Sequence, residues 1–171
     1  MSKAVKIKQR DIADCGAACL ASVAAHYRLR LPVSRIRQYA GTDKRGTTVL
    51  GLIEVAEKLG FQAKAAKGPL ESLSKIPLPA IAHVIVKNGL HHFVVLYKVT
   101  KKHICIMDPG DGAIHKKKLP DFKKECRQLR TARARQQCRQ ESSLDQLREA
   151  ARRDREENVL EHRRPAAGDF L

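Results

Sequence analysis

A chain of 171 residues accommodates one domain of about 100–150 residues and a remainder. With 43% hydrophobic residues and a formal charge of +16, it can bury one core, and the basic excess admits nucleic acid, an anionic surface or an acidic peptide as partner. No apolar run approaches the roughly 20 residues that cross a bilayer, and MSKAVKIKQRD at the N-terminus lacks an apolar h-region, so neither a transmembrane segment nor a secreted scaffold is expected.

The charge is uneven. Residues 1–120 carry 21 Lys and Arg against 8 Asp and Glu, a net of +13, whereas residues 121–171 carry 13 against 10, a net of +3. No reader motif or aromatic stacking set accompanies the lysines, so nucleic acid is not the expected partner. The five cysteines (Cys15, Cys19, Cys105, Cys126, Cys138) are odd in number and form no CxxC pair. They read as reduced thiols in the cytosol rather than a disulfide framework, and with the histidines they make no metal set.

In chain order, Asp14 is a good N-cap, and the alanine-rich Cys15–His26 predicts a helix buried on most faces that starts at or beside Cys15. Pro32 breaks the pattern, and a short helix is expected from about Ser34 to Ala40, closed by Gly41. Within Thr48–Leu59 the apolar residues Leu52, Ile53, Ala56 and Leu59 fall at helical spacing, and Gly60 ends that helix. Phe61–Ala66 reads as a short strand and Pro69–Leu73 as a helical turn.

Strand-like runs follow at Ala80–Val86, His92–Val99 and His103–Met107, joined by turns at Asn88-Gly89 and Lys101-Lys102. Helices followed by an antiparallel meander give an α+β class, the helices packed on or beside one sheet. After Phe122 the chain is dominated by Arg, Gln, Glu and Ala, so the folded domain is placed at 1–122 and a polar tail, partly helical or disordered, at 123–171.

A cysteine becomes a nucleophile when its thiolate is stabilised, and a helix N-terminus does so through unpaired N–H groups and its positive dipole end. Cys15 occupies such a position. Six residues upstream, Gln9 could bring an amide donor back over the thiol, as the oxyanion of acyl transfer requires. The thiol also needs an imidazole, and the imidazole an acceptor. His92 opens one strand and Asp108 ends the next, so a hairpin through Lys101-Lys102 places them near one edge of the sheet. His91 and His92 cannot both serve, because successive strand side chains point to opposite faces. His83 reads as a satisfied core histidine, and His26, His103 and His115 as surface or strand-edge residues.

The segments Gln9-Arg-Asp-Ile-Ala-Asp14-Cys15-Gly16-Ala-Ala-Cys-Leu, Gly46-Thr47-Thr48, His92-Phe93-Val94-Val95 and Asp108-Pro109 resemble, in order, the bacteriocin-processing, double-glycine cysteine peptidase domain at the N-terminus of peptidase-containing ABC transporters. The resemblance covers about residues 4–122. It implies a papain-like fold in which Cys15 attacks the carbonyl after Gly-Gly or Gly-Ala, His92 is general base and acid, Asp108 orients it and Gln9 forms the oxyanion hole. It further implies a precursor with a helical leader as substrate, and transporter membrane and ATPase domains as partners at the cytoplasmic face of the bacterial inner membrane. The peptidase domain needs no cofactor on this reading, since ATP belongs to a transporter domain that does not follow here. The basic charge would then meet acidic residues of the leader. The change of character after Glu125 is what a truncated or frameshifted reading frame leaves, and equally what a stand-alone peptidase with a polar extension has. A non-catalytic leader-binding module is the alternative reading, and Cys15 argues against it because related modules lack the nucleophile.

Overall fold

A computed structural model describes residues 4–44, 46–67, 70–85, 89–125 and 129–136. The first helix, α1 (Cys15–His26), is entered through a single 3-10 turn at Ile12–Asp14. Asp11 caps that turn: its Oδ1 accepts the Ala13 N–H at 3.0 Å, while Asp14 Oδ2 accepts the Asp11 N–H at 3.1 Å. This reciprocal pairing is a capping box that satisfies two otherwise orphaned donors. Asp14 therefore does not cap α1, as its position alone suggested. Cys15 through Ala24 are all buried, because small alanines let the helix sit close against its neighbours on every side.

Helix α2 (Val33–Tyr39) follows Pro32, and α3 (Val49–Lys58) is capped by Thr48, whose Oγ1 accepts the Gly51 N–H at 3.0 Å. Six strands, β1 (Phe61–Lys67), β2 (Ala80–Ile85), β3 (His91–Val99), β4 (His103–Asp108), β5 (Ala113–Lys118) and β6 (Leu129–Gln136), form one sheet in the order β1-β6-β2-β3-β4-β5. Every pairing is antiparallel. The fold is α+β, as the pattern of elements predicts.

The meander extends one strand further than expected. β5 carries the Lys116-Lys117-Lys118 run, which lies beyond the last strand expected from sequence, yet it pairs along the whole of β4 at the open edge of the sheet. On one face Val94, Leu96, Ile104 and Ile106 pack with Leu73 and with Phe122 of α4 (Leu119–Glu125). The opposite face meets α1, where a Cβ on Gly16 would lie 3.3 Å from Phe93 Cδ2 and 3.0 Å from Thr47 Cβ. A bare Cα at residue 16 thus brings the head of α1 against both β3 and the loop before α3.

The boundary at 122 needs correction. α4 straddles it, and β6 runs between β1 and β2, pairing from Phe61↔Gln136 to Lys67↔Arg130 on one side and from Ala80↔Arg133 to Val84↔Leu129 on the other. Compact packing gathers Met1–Gln137 into one unit. The remainder of the expected tail lies outside the described residues. Because β6 bridges β1 to the meander, a chain ending at residue 125 is expected to lose a large part of a stability of about 5–15 kcal/mol, whereas one ending at 137 keeps it. Urea melts of the two chains check this.

Candidate active site

The nucleophile candidate begins α1, its imidazole candidate is the second residue of β3, and its carboxylate candidate is the last residue of β4. Each lies at the end of its element, and there the three meet. His92 Nε2 donates to Asp108 Oδ1 at 2.8 Å, and the ring's other partner is the Cys15 side chain. His91, one residue earlier, turns away and stacks on His83, with Nδ1 and Nε2 of the two rings 3.1 Å apart. The alternation of strand side chains thus separates the two neighbouring histidines as expected.

Asp108 is held as tightly as it holds. Its Oδ1 also accepts the Gly110 N–H at 2.8 Å, and its backbone carbonyl accepts the Gly112 N–H at 2.8 Å. The His92 bond is the largest influence lowering the Asp108 pKa, with help from Gly110 and against the opposing effect of burial. For His92, burial pulls the pKa down, but the bonds to Asp108 and Cys15 outweigh it and raise it to about 9. The ring is therefore protonated over the neutral range, held between a carboxylate and the Cys15 sulfur.

Gln9 reaches the site through its backbone, which sequence spacing did not reveal. Its N–H donates to the Pro109 carbonyl at 2.8 Å, so the residue is tied to the turn that follows Asp108. Upstream, Val5 and the Tyr97 hydroxyl exchange two hydrogen bonds, of 3.2 and 2.7 Å, and fix the other end of the segment. Gly112, at φ +71, lets Lys8 pass: a Cβ there would stand 2.9 Å from Lys8 Cβ. The Gln9 side-chain Oε1 is buried and has no hydrogen-bond partner among the described residues. An unpaired buried carbonyl oxygen costs stability, which is tolerable where a donor on a ligand completes it.

Two further supports were not read as functional in the sequence. Asp14, buried at 2% exposure, places Oδ1 2.9 Å from Arg37 Nη1, an ionic contact rather than an aligned hydrogen bond, so α2 braces the turn that delivers Cys15. Thr47 packs at Gly16 and bonds the Thr42 hydroxyl at 2.7 Å. Their signal was a charged residue directly before an apolar helix and a Gly-Thr-Thr loop. Cys19, one turn beyond Cys15, is fully buried, and burial first, then Cys15 and Asp108, pushes its pKa well up. It stays a neutral thiol. Among the described residues no group of three or more His, Cys, Asp or Glu could hold a metal.

A thiol at the head of a buried helix, facing a His–Asp pair on an antiparallel sheet, defines a papain-like cysteine peptidase. The chain belongs to the Peptidase C39 family, whose model matches residues 3–130. It is 43% identical over 121 residues to the lactococcin-G-processing and transport ATP-binding protein LagD of Lactococcus lactis subsp. lactis, covering 70% of this chain and 17% of that protein. It is 38% identical over 115 residues to the mesentericin-Y105 transport/processing protein MesD of Leuconostoc mesenteroides, covering 66% of this chain and 16% of that one. The chain thus spans about a sixth of the length of these relatives. Its fold matches the crystal structure of the peptidase domain of Streptococcus ComA, with a TM-score of 0.71, 33% identity, and coverage of 79% of this chain and 100% of that one. A double-glycine motif protease from a transporter, solved with its leader peptide, matches at TM-score 0.66 and 29% identity over 76% of this chain and 90% of that one.

The pH dependence follows from the imidazole. Because its pKa is raised by Asp108, activity that needs the imidazolium is retained through neutral pH and lost as pH rises through about 9. In Asp108→Asn that alkaline limb is expected to move down toward the ordinary histidine value of about 6.5. An NMR titration of the His92 ring beside a pH–rate profile reads both shifts, and a limb unmoved by the substitution contradicts the assignment.

Proposed function

We propose that the chain is a cysteine endopeptidase that removes double-glycine-type leaders from bacteriocin or other secreted peptide precursors. The observation that carries this is the His92 ring bonded between Asp108 and Cys15. With His92 already an imidazolium, the Cys15 sulfur attacks, as the thiolate, the carbonyl carbon after Gly-Gly or Gly-Ala. The carbonyl oxygen becomes an oxyanion that the Gln9 side-chain amide and a backbone N–H at the head of α1 hold. The imidazolium then gives its proton to the leaving amine as the peptide C–N bond breaks, leaving a thioester. Water, deprotonated by the same ring, attacks the thioester and returns the thiol. Asp108 holds the ring's orientation and stabilises its charge.

No step calls for a cofactor. The names of the relatives join processing to transport and ATP binding, which supports transporter membrane and ATPase domains as partners and the cytoplasmic face of the bacterial inner membrane as the place of action. No helix among the described residues is long and apolar enough to cross a membrane. Paired synthetic leaders test the specificity. Replacing the glycine before the scissile bond with leucine is expected to lower kcat/KM by at least about 100-fold, since a cleft that selects glycine would exclude the larger side chain. Equal cleavage of both leaders removes the double-glycine assignment.

A further inference from the structure

The basic charge of the domain is not spread evenly around it. At the end of the sheet away from Cys15, a one-residue register shift between Leu96 and Lys98 brings Lys98 opposite Cys105, and Cys105 opposite Lys116. His103 pairs with Lys118 in the same ladder. Direct cross-strand partners share a face, so Lys98, Lys116 and Lys118 gather on one face of the open sheet edge, and the exposed Lys101 and Lys102 continue it into the turn. Arg28 and Arg30, also exposed, follow the end of α1, whose His26 ring lies 5.7 Å from the Tyr97 ring centre at this same end.

Carboxylates are sparse at this pole. Residues 97–107 and 113–120 contain no Asp or Glu and Asp121, in the first turn of α4, is the one acidic residue that directly follows the lysine run, while Asp11, Asp14, Asp108 and Asp111 all belong to the catalytic end. Six residue steps of β3 separate His92 from Lys98, about 20 Å at roughly 3.3 Å per residue. The lysines are thus too far from the thiol to bind the residues being cut. They are also poor matches to single-stranded nucleic acid, because residues 98–120 contain no Phe, Tyr or Trp on which bases could stack and the half-buried Tyr97 ring packs beside His26 with its hydroxyl on Val5. The lysine point charges, set along a strand edge and a turn, suit an extended anionic surface rather than a shaped anion, and Arg28 and Arg30 add to its charge.

We infer that this lysine pole docks the domain on a membrane rich in anionic phospholipid headgroups, with the catalytic end held away from the bilayer. The interaction is independent of the peptidase chemistry. It is electrostatic, because Ile114, at 40% exposure, is the only large hydrophobic side chain that β4 and β5 leave exposed. Each lysine near a charged leaflet strengthens partitioning about fivefold.

The test is sedimentation of the full 171-residue chain with phosphatidylcholine vesicles, with and without about 30% phosphatidylglycerol. Binding is expected only with the anionic lipid and is released as salt screens the charges. Lys98→Glu/Lys116→Glu/Lys118→Glu is expected to weaken it by about 100-fold, while Lys8→Glu/Arg10→Glu/Lys44→Glu, an equal change of net charge at the catalytic end, weakens it by less than tenfold. Unchanged alkylation of Cys15 by neutral iodoacetamide shows that the first variant is folded, and glutamates keep the sheet edge charged. Equal loss in both triple variants, retention in the first, no preference for anionic vesicles, or tighter binding to duplex DNA than to the vesicles at equal phosphate overturns the proposal.

Discussion

Cys15→Ala is expected to abolish cleavage of a Gly-Gly leader, by about 10⁵-fold or more, with leader affinity retained. Removing the nucleophile of a concerted set costs nearly as much as removing the whole set, and no other described thiol can take its place. Cys19 is fully buried, with its pKa pushed up by that burial. Cys105 lies in β4 between Lys98 and Lys116, at the opposite end of the sheet. The substitution removes one sulfur from a site only 6% exposed, so the melting temperature should change by a few degrees at most. Single-turnover cleavage followed by mass spectrometry is the measurement, and residual cleavage within tenfold of the parent protein contradicts the assignment.

Gln9→Ala is expected to lower kcat by about 10²–10³-fold with little change in KM, the cost of losing one oxyanion donor. The prediction is specific because the segment is fixed by backbone bonds. The Gln9 N–H to Pro109 carbonyl bond of 2.8 Å survives in alanine, as does the pairing of Val5 with Tyr97. What is lost is the side-chain amide and with it the Nε2 donor, whose companion Oε1 is buried without a hydrogen-bond partner among the described residues. Alkylation of Cys15 by iodoacetamide, which develops no oxyanion, should proceed at the rate of the parent. An equal fall in alkylation and peptide cleavage would mean that the site had been distorted instead.

The residues brought together at the site were legible because each sits where a strong local signal ends. Alanine and small residues announce α1 from its first residue, and the β-rich runs fix the parity that sends His92 to Asp108 and His91 to His83. Local pattern was blind to what depends on distant partners. The 3-10 turn hid behind Asp14, whose carboxylate is drawn to Asp11 and Arg37 rather than to the helix it precedes. β5 hid in AIHKKK, since an edge strand can be lysine-rich and still pair. β6, LRTARARQ, alternates Ala with Arg, and that composition reads as a polar tail although two neighbouring strands complete its ladders. The anchoring of Gln9 by a proline carbonyl a hundred residues away had no signal in the sequence.

A leader peptide ending in a Gly-Gly chloromethyl ketone puts the geometry to the most direct test. Its reactive carbon is carried to the sulfur that faces the His92 ring, and peptide mapping then identifies which thiol is alkylated. The adduct is predicted on Cys15 alone, at a rate that collapses in His92→Ala. Alkylation of Cys105 in preference, or of Cys15 at the same rate without the imidazole, would contradict a thiol–imidazole pair at the head of α1.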